Sequence, residues 1–249
     1  MTRKYPQADI KILYSKAAGR CAFKKCRENV VLEKTEKEKS KQIGKIAHIV
    51  AHSPNGPRAD SSYPKDKLDS YDNWILLCPT CHDTVDAQES KYTVTDLHLI
   101  KKEHEDWVAQ QLDENMSEVG FPELEVAAKA IASGQYVSVA GFEVIPPDEK
   151  IRKNKLTNES RSLLLTGLSR SHEVTKYLSK SAQLDYSFPE RLKEGFKDKY
   201  IELKEEFDGD ALFMAMFEFA KAGASDFKQQ AASLALLSHL FELCEVFEK

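Results

Sequence analysis

The chain has no run of eighteen apolar residues, which excludes a membrane-spanning helix of ordinary length. Its opening Met1-Thr-Arg-Lys-Tyr-Pro6 lacks the apolar core and cleavage site of a secretory signal. A cytoplasmic location is the expectation that follows. No internal repeat is visible, which argues against a solenoid. The second half holds no glycine-rich phosphate loop, no cluster of cysteine with histidine and no Ser-His-Asp arrangement. It therefore offers no recognisable chemistry of its own. Cysteine is scarce, five in 249 residues. In a reducing compartment, closely spaced pairs of cysteines point to a metal rather than to disulfides.

What is present is a charged, globular composition, with 41% hydrophobic and 31% charged residues, so wholesale disorder is not expected. The net charge of −4 hides an asymmetry, because residues 1–58 carry fourteen Lys/Arg against five Asp/Glu. A basic lobe joined to an acidic remainder suits a protein that meets phosphate at one end. Hydrophobic spacing predicts a helix over 6–19, strand character over 44–52 and a turn over 53–58. A short apolar run at Trp74–Leu77 is followed by helical pattern from Cys81 and again from Thr95. Residues 112–122 read as a linker, dividing the chain into 1–112 and 113–249. Beyond it the pattern predicts helices over 122–132, 158–183, 189–206, 209–222 and 226–248, with a strand at 136–140 and a turn at Pro146-Pro147. The fold class expected is α+β, a small metal-stabilised domain followed by a mainly α-helical one.

Four cysteines fall in two pairs, Cys21-x4-Cys26 and Cys78-Pro-Thr-Cys81. Each tight turn supplies two thiolates, and together they make the four ligands of tetrahedral Zn2+. Between and just after the pairs lie His48, Asn73 and His82, in the order His…Asn…His. With the cysteine pairs around them, residues 21–86 resemble the HNH endonucleases and their ββα-metal fold. The resemblance implies DNA as substrate, His48 as general base, Asn73 as the residue orienting the base's loop, and His82 as metal ligand or phosphate contact. A near-neutral imidazole suits the base role.

Asp86, one helical turn after His82, is the expected second ligand of a catalytic Mg2+ or Mn2+. Many relatives carry a ligand immediately before the base, where this chain has Ala47; His52 or Asp60 are the alternatives. Lys24, Lys25, Lys45 and Arg58 are the expected phosphate contacts, binding backbone without reading sequence. His98 and His104 are expected to be ordinary surface or core histidines.

The apolar tail from Asp226, with Phe188–Lys193 and Phe207–Phe213, resembles the C-terminal helical domain of effectors in bacterial three-component defence systems. That resemblance implies an ABC/SMC-like ATPase or another component of the same system as partner, with Cys244 as packing. A homo-oligomer through the helical domain, and a zinc module that binds nucleic acid or protein without cutting, are the alternatives.

Overall fold

A computed structural model of the chain describes residues 5–32, 37–38, 40–132 and 147–243. The chain divides into two units, Met1–Gln110 and Gln111–Lys249. The described residues form ten α-helices and two small antiparallel sheets, an α+β architecture.

In the first unit, helix α1 (Gln7–Lys16) buries Leu13 and Tyr14. It stops because Ala18 and Gly19 turn left-handed, at φ +50 and +64, and the Gly19 N–H donates back to the Tyr14 carbonyl. At Gly19 only a missing Cβ fits, since one would lie 2.9 Å from the Val31 side chain. Strands β1 (Val31–Leu32) and β2 (Lys41–Gln42) form the minor sheet.

The sheet that matters is β3 (Lys45–His48) against β4 (Trp74–Leu77), in the register Lys45↔Leu77 to His48↔Trp74. Strand β4 is buried at all four positions, because α1 and helix α2 (Pro79–Ala87) both pack on it. Four apolar side chains withdrawn from water contribute on the order of 2 kcal/mol each. The strand predicted over 44–52 stops at His48. Beyond that, the Ile49 N–H reaches the Asn73 carbonyl, but the Val50 N–H bonds the Asn73 side chain instead of a strand partner.

Helix α2 begins where the sequence suggests: Cys78 is its N-cap and Pro79 its first residue, a position that needs no N–H. Helix α3 (Val94–Met116) follows, burying Leu97, Lys101 and His104 in the first unit.

The expected linker over 112–122 is largely helix. The polar stretch hides Leu112, Met116 and Val119, all buried, so α3 continues to Met116 and helix α4 (Phe121–Ile131) starts after Gly120. The expected helix over 158–183 is two helices, α6 (Asn158–Leu168) and α7 (Ser171–Leu184), with α5 (Pro147–Lys153) before them. The corner between them carries Arg170, whose Nε donates to the Met116 carbonyl at 2.7 Å.

Helices α8 (Phe188–Lys204), α9 (Gly209–Lys221) and α10 (Phe227–Leu243) follow among the described residues of the unit. Helix α10 is buried around its whole circumference from Gln230 to Phe241, packed by α4, α6, α7 and α9. Fully buried Lys150 donates from its ammonium to the Phe241 carbonyl of α10 at 2.6 Å. Pro147 opens α5 rather than sitting in a turn. The strand expected at 136–140 and Cys244 lie outside the described residues. Among the described residues no helix is long and apolar enough to cross a membrane.

Candidate functional site

The four cysteines meet. The loop after α1 carries Cys21 and Cys26, and the junction of β4 with α2 carries Cys78 and Cys81. All four Sγ atoms lie within 4.8 Å of one another, and Cys26 and Cys78 are 3.8 Å apart. Four sulfurs at ~2.3 Å from one tetrahedral ion stand ~3.8 Å apart. The set could therefore hold a metal ion such as zinc. The Cys81 N–H donates to the Cys78 sulfur at 3.4 Å. As free thiols, Cys21, Cys78 and Cys81 are shifted in different directions. Burial pushes Cys21 up to about 11 and Cys81 higher still. Burial would also raise Cys78, but bonds from the Cys81 backbone and the neighbouring thiols outweigh it and bring that group below the usual thiol value. A metal takes thiolates, so binding here releases protons.

The second cluster lies where β3 and β4 both end at the long connection between them. His48, 14% exposed, presents its Nε2 to Asp69 Oδ1 at 3.0 Å, and the Trp74 indole N–H points at the same nitrogen from 3.1 Å. Tyr5 and Trp74 pack against the imidazole. The exposed His52 stands 4.0 Å from the other Asp69 oxygen.

Asn73 is wholly buried and braces this connection at three points. Its Oδ1 accepts from the Val50 N–H at 2.9 Å, and its amide donates to the carbonyls of Val50 at 2.9 Å and Leu68 at 3.0 Å. Both amide hydrogens and the oxygen are engaged, so it ties the segment after His48 to the segment before Asp69. Behind it, buried Lys101 donates to the carbonyls of Tyr71 and Trp74 at 3.0 and 2.9 Å. Burial depresses Lys101 to about 8, against the upward pull of Glu105 at 3.2 Å.

His82 and Asp86 share a face of α2, as their spacing predicts, with Nδ1 3.7 Å from the carboxylate. The other oxygen of Asp86 is taken by Arg58 at 2.9 Å. Arg58 is the position where the structure departs furthest from expectation. Its side chain is 5% exposed, and it bonds the carbonyls of Ile49 (3.0 Å), Val85 (2.9 Å) and His48 (3.3 Å) as well as Asp86. It is a clamp between the His48 loop and α2, not a surface group open to phosphate. Lys24 and Lys25 are exposed between the first two cysteines. Lys45 is exposed at the far end of β3, about 10 Å along the strand from His48. Ala47 faces the core and offers nothing to a ligand. Among the described residues the four cysteines form the one group of three or more potential ligands so closely set. His82 Nδ1 also stands 3.5 Å from the exposed carboxylate of Asp83.

Asp69, Trp74 and Lys101 are the members of this region that spacing did not single out. Asp69 is one of several acidic residues in a polar connection, and nothing local marks it. No protein-family model and no curated protein matches the chain.

Proposed function

We propose that the first unit is a metal-dependent endonuclease of HNH type that hydrolyses phosphodiester bonds in DNA. The observation that carries this is the placement of His48, Asn73 and His82 on successive pieces of one small motif. His48 ends β3, Asn73 closes the turn immediately before β4, and His82 lies on α2, the helix that directly follows β4, beside a four-cysteine metal set.

On this reading His48 takes a proton from a water whose oxygen bonds to phosphorus. The P–O3′ bond breaks, and the leaving oxygen takes its proton from solvent. Asn73 keeps the imidazole's loop in place, and Lys24, Lys25 and Lys45 hold the DNA backbone. His82 and Asp86 are the residues that would hold a divalent ion, Mg2+ or Mn2+. A site for such an ion needs only one or two protein ligands. When bound, the ion supplies neutralisation of charge at the phosphate and leaving oxygen.

The helical unit on this reading docks an ABC/SMC-like ATPase or another component of a defence system, or pairs with a second copy. The resemblance of the sequence segments Phe188–Lys193, Phe207–Phe213 and the tail from Asp226 to such effectors supports it.

One observation favours a second reading, a zinc module that binds nucleic acid or protein without cutting. Asp86 is already neutralised by Arg58, and no ligand comes from position 47. Supercoiled plasmid incubated with the purified chain and Mg2+ or Mn2+ decides between the two. Nicked and linear products support the nuclease. DNA retention without cleavage at every ion, with and without the ATPase, supports the binding module.

A further inference from the structure

His48 Nε2 faces two partners with opposite demands. An indole N–H only donates, and an ionised carboxylate only accepts. The nitrogen can serve Trp74 when it carries a lone pair and Asp69 when it carries a proton, and both stand within 3.1 Å of it. The neutral ring with its proton on Nδ1 suits the indole. The imidazolium suits the carboxylate, where the bond is charge-assisted and roughly twice as strong as a neutral one.

The surroundings hold this geometry rather than leaving it to loop motion. Asn73 pins the carbonyl of Leu68, next to Asp69, and both backbone groups of Val50, two residues from His48. Arg58 pins the His48 carbonyl itself. Among the described residues, the titratable and charged groups facing His48 include Asp69, His52 on the far side of that carboxylate, Tyr5 against the ring, and Arg58 at the backbone.

We infer that Asp69 is the positioning residue of the His48 base. It receives the imidazolium that His48 becomes on taking a proton, while Trp74 holds the neutral ring; the inference rests on the base role proposed above. With Nδ1 protonated in the neutral ring, the proton from water arrives at Nε2 in place of the Trp74 N–H, and the new N–H is then held by the Asp69 carboxylate. Asp69 makes the protonated ring a stable occupant of the site, so the proton removed from water has a place to stay while the P–O bond breaks.

The two partners act on the imidazole in opposite directions, and that is the test. The His48 ring resonance of the full chain, identified by its loss in His48→Asn, is titrated by NMR without DNA. Asp69→Asn removes the anion and lowers the His48 pKa by about one unit or more. Trp74→Phe removes the donor to the lone pair and raises it by several tenths of a unit. Asp69→Glu retains a carboxylate and restores a substantial part of the shift, and exposed Asp66→Asn leaves it unchanged. In plasmid cleavage the acid limb of the pH profile moves with the same signs. Unchanged titration in Asp69→Asn, or shifts of the same sign in both variants, overturns the inference. Because the titration needs no activity, opposite shifts in a protein that never cuts would sink the nuclease reading alone.

Discussion

Arg58→Met replaces a buried clamp by an unbranched apolar chain that reaches only to the position of the arginine Nε, and its cost can be worked from the contacts. The guanidinium bonds the carbonyls of Ile49, Val85 and His48 and the carboxylate of Asp86. Asp86 is 38% exposed and can rehydrate, so the loss falls mainly on the carbonyls. Two well-placed bonds, one longer bond and part of an ion pair come to about 3 kcal/mol, the lower end for breaking a buried pair. The backbone at residue 58 is left-handed, at φ +60, and methionine bears that strain as arginine does, so it cancels. Both tryptophans, Trp74 and Trp107, lie in the first unit, which makes their fluorescence a probe of that unit's unfolding. A fall in Tm on the order of 10 °C is expected for a domain of this size. Arg58→Lys should recover only a minor part, because an ammonium cannot fork across several acceptors. The slope of DNA affinity against salt should stay at the wild-type value in Arg58→Met, whereas alanine at Lys24, Lys25 or Lys45 lowers it by about one each. A loss under about 1 kcal/mol, or a reduced salt slope in Arg58→Met, would refute the clamp.

The purified chain should carry one tightly held metal ion, and Cys78→Ser should abolish it and lower the thermal stability of the first unit, as metal analysis and tryptophan fluorescence would report. Gly167→Ala should destabilise the helical unit by about 1–3 kcal/mol, because a Cβ there would strike Ser238 Oγ and stand 2.7 Å from the Leu234 carbonyl; Ser238→Gly should restore only part in circular-dichroism melts. His239 is buried, which lowers it to about 4. Its neutral form therefore favours folding fully above the unfolded value near 6.5, and that contribution is lost as pH falls from 6.5 towards 4. At most ~3 kcal/mol is involved, and His239→Gln should flatten the acid limb of the helical unit's stability.

Much of the first unit was legible because its signals are local. The cysteine spacings, Pro79 after Cys78 and the apolar run Trp74–Leu77 each report on a few adjacent residues. The long connection between β3 and β4 was not legible. Arg58 follows Gly-Pro in a turn and looks solvent-facing, but its burial depends on Val85 and Asp86, 27 and 28 residues on. Asp69 gains meaning only when the chain returns to place it beside His48. In the second half, polarity between Leu112 and Val119 hid a buried stripe at helical spacing, so helix was read as linker. The break at residues 169–170 carries no proline or glycine. Close packing of Gly167 on α10 and the Arg170 bond to Met116 are tertiary features, and a helical pattern runs straight across them.

His48→Ala puts the base assignment to its most direct test, with metal content measured on the same preparation and supercoiled plasmid as substrate in Mg2+ or Mn2+. The account predicts wild-type cleavage and a loss of about 100-fold or more in the variant, with the cysteine-bound metal retained. Wild-type rates in His48→Ala, or no cleavage by the wild-type chain alone or with an ATPase partner, would contradict it.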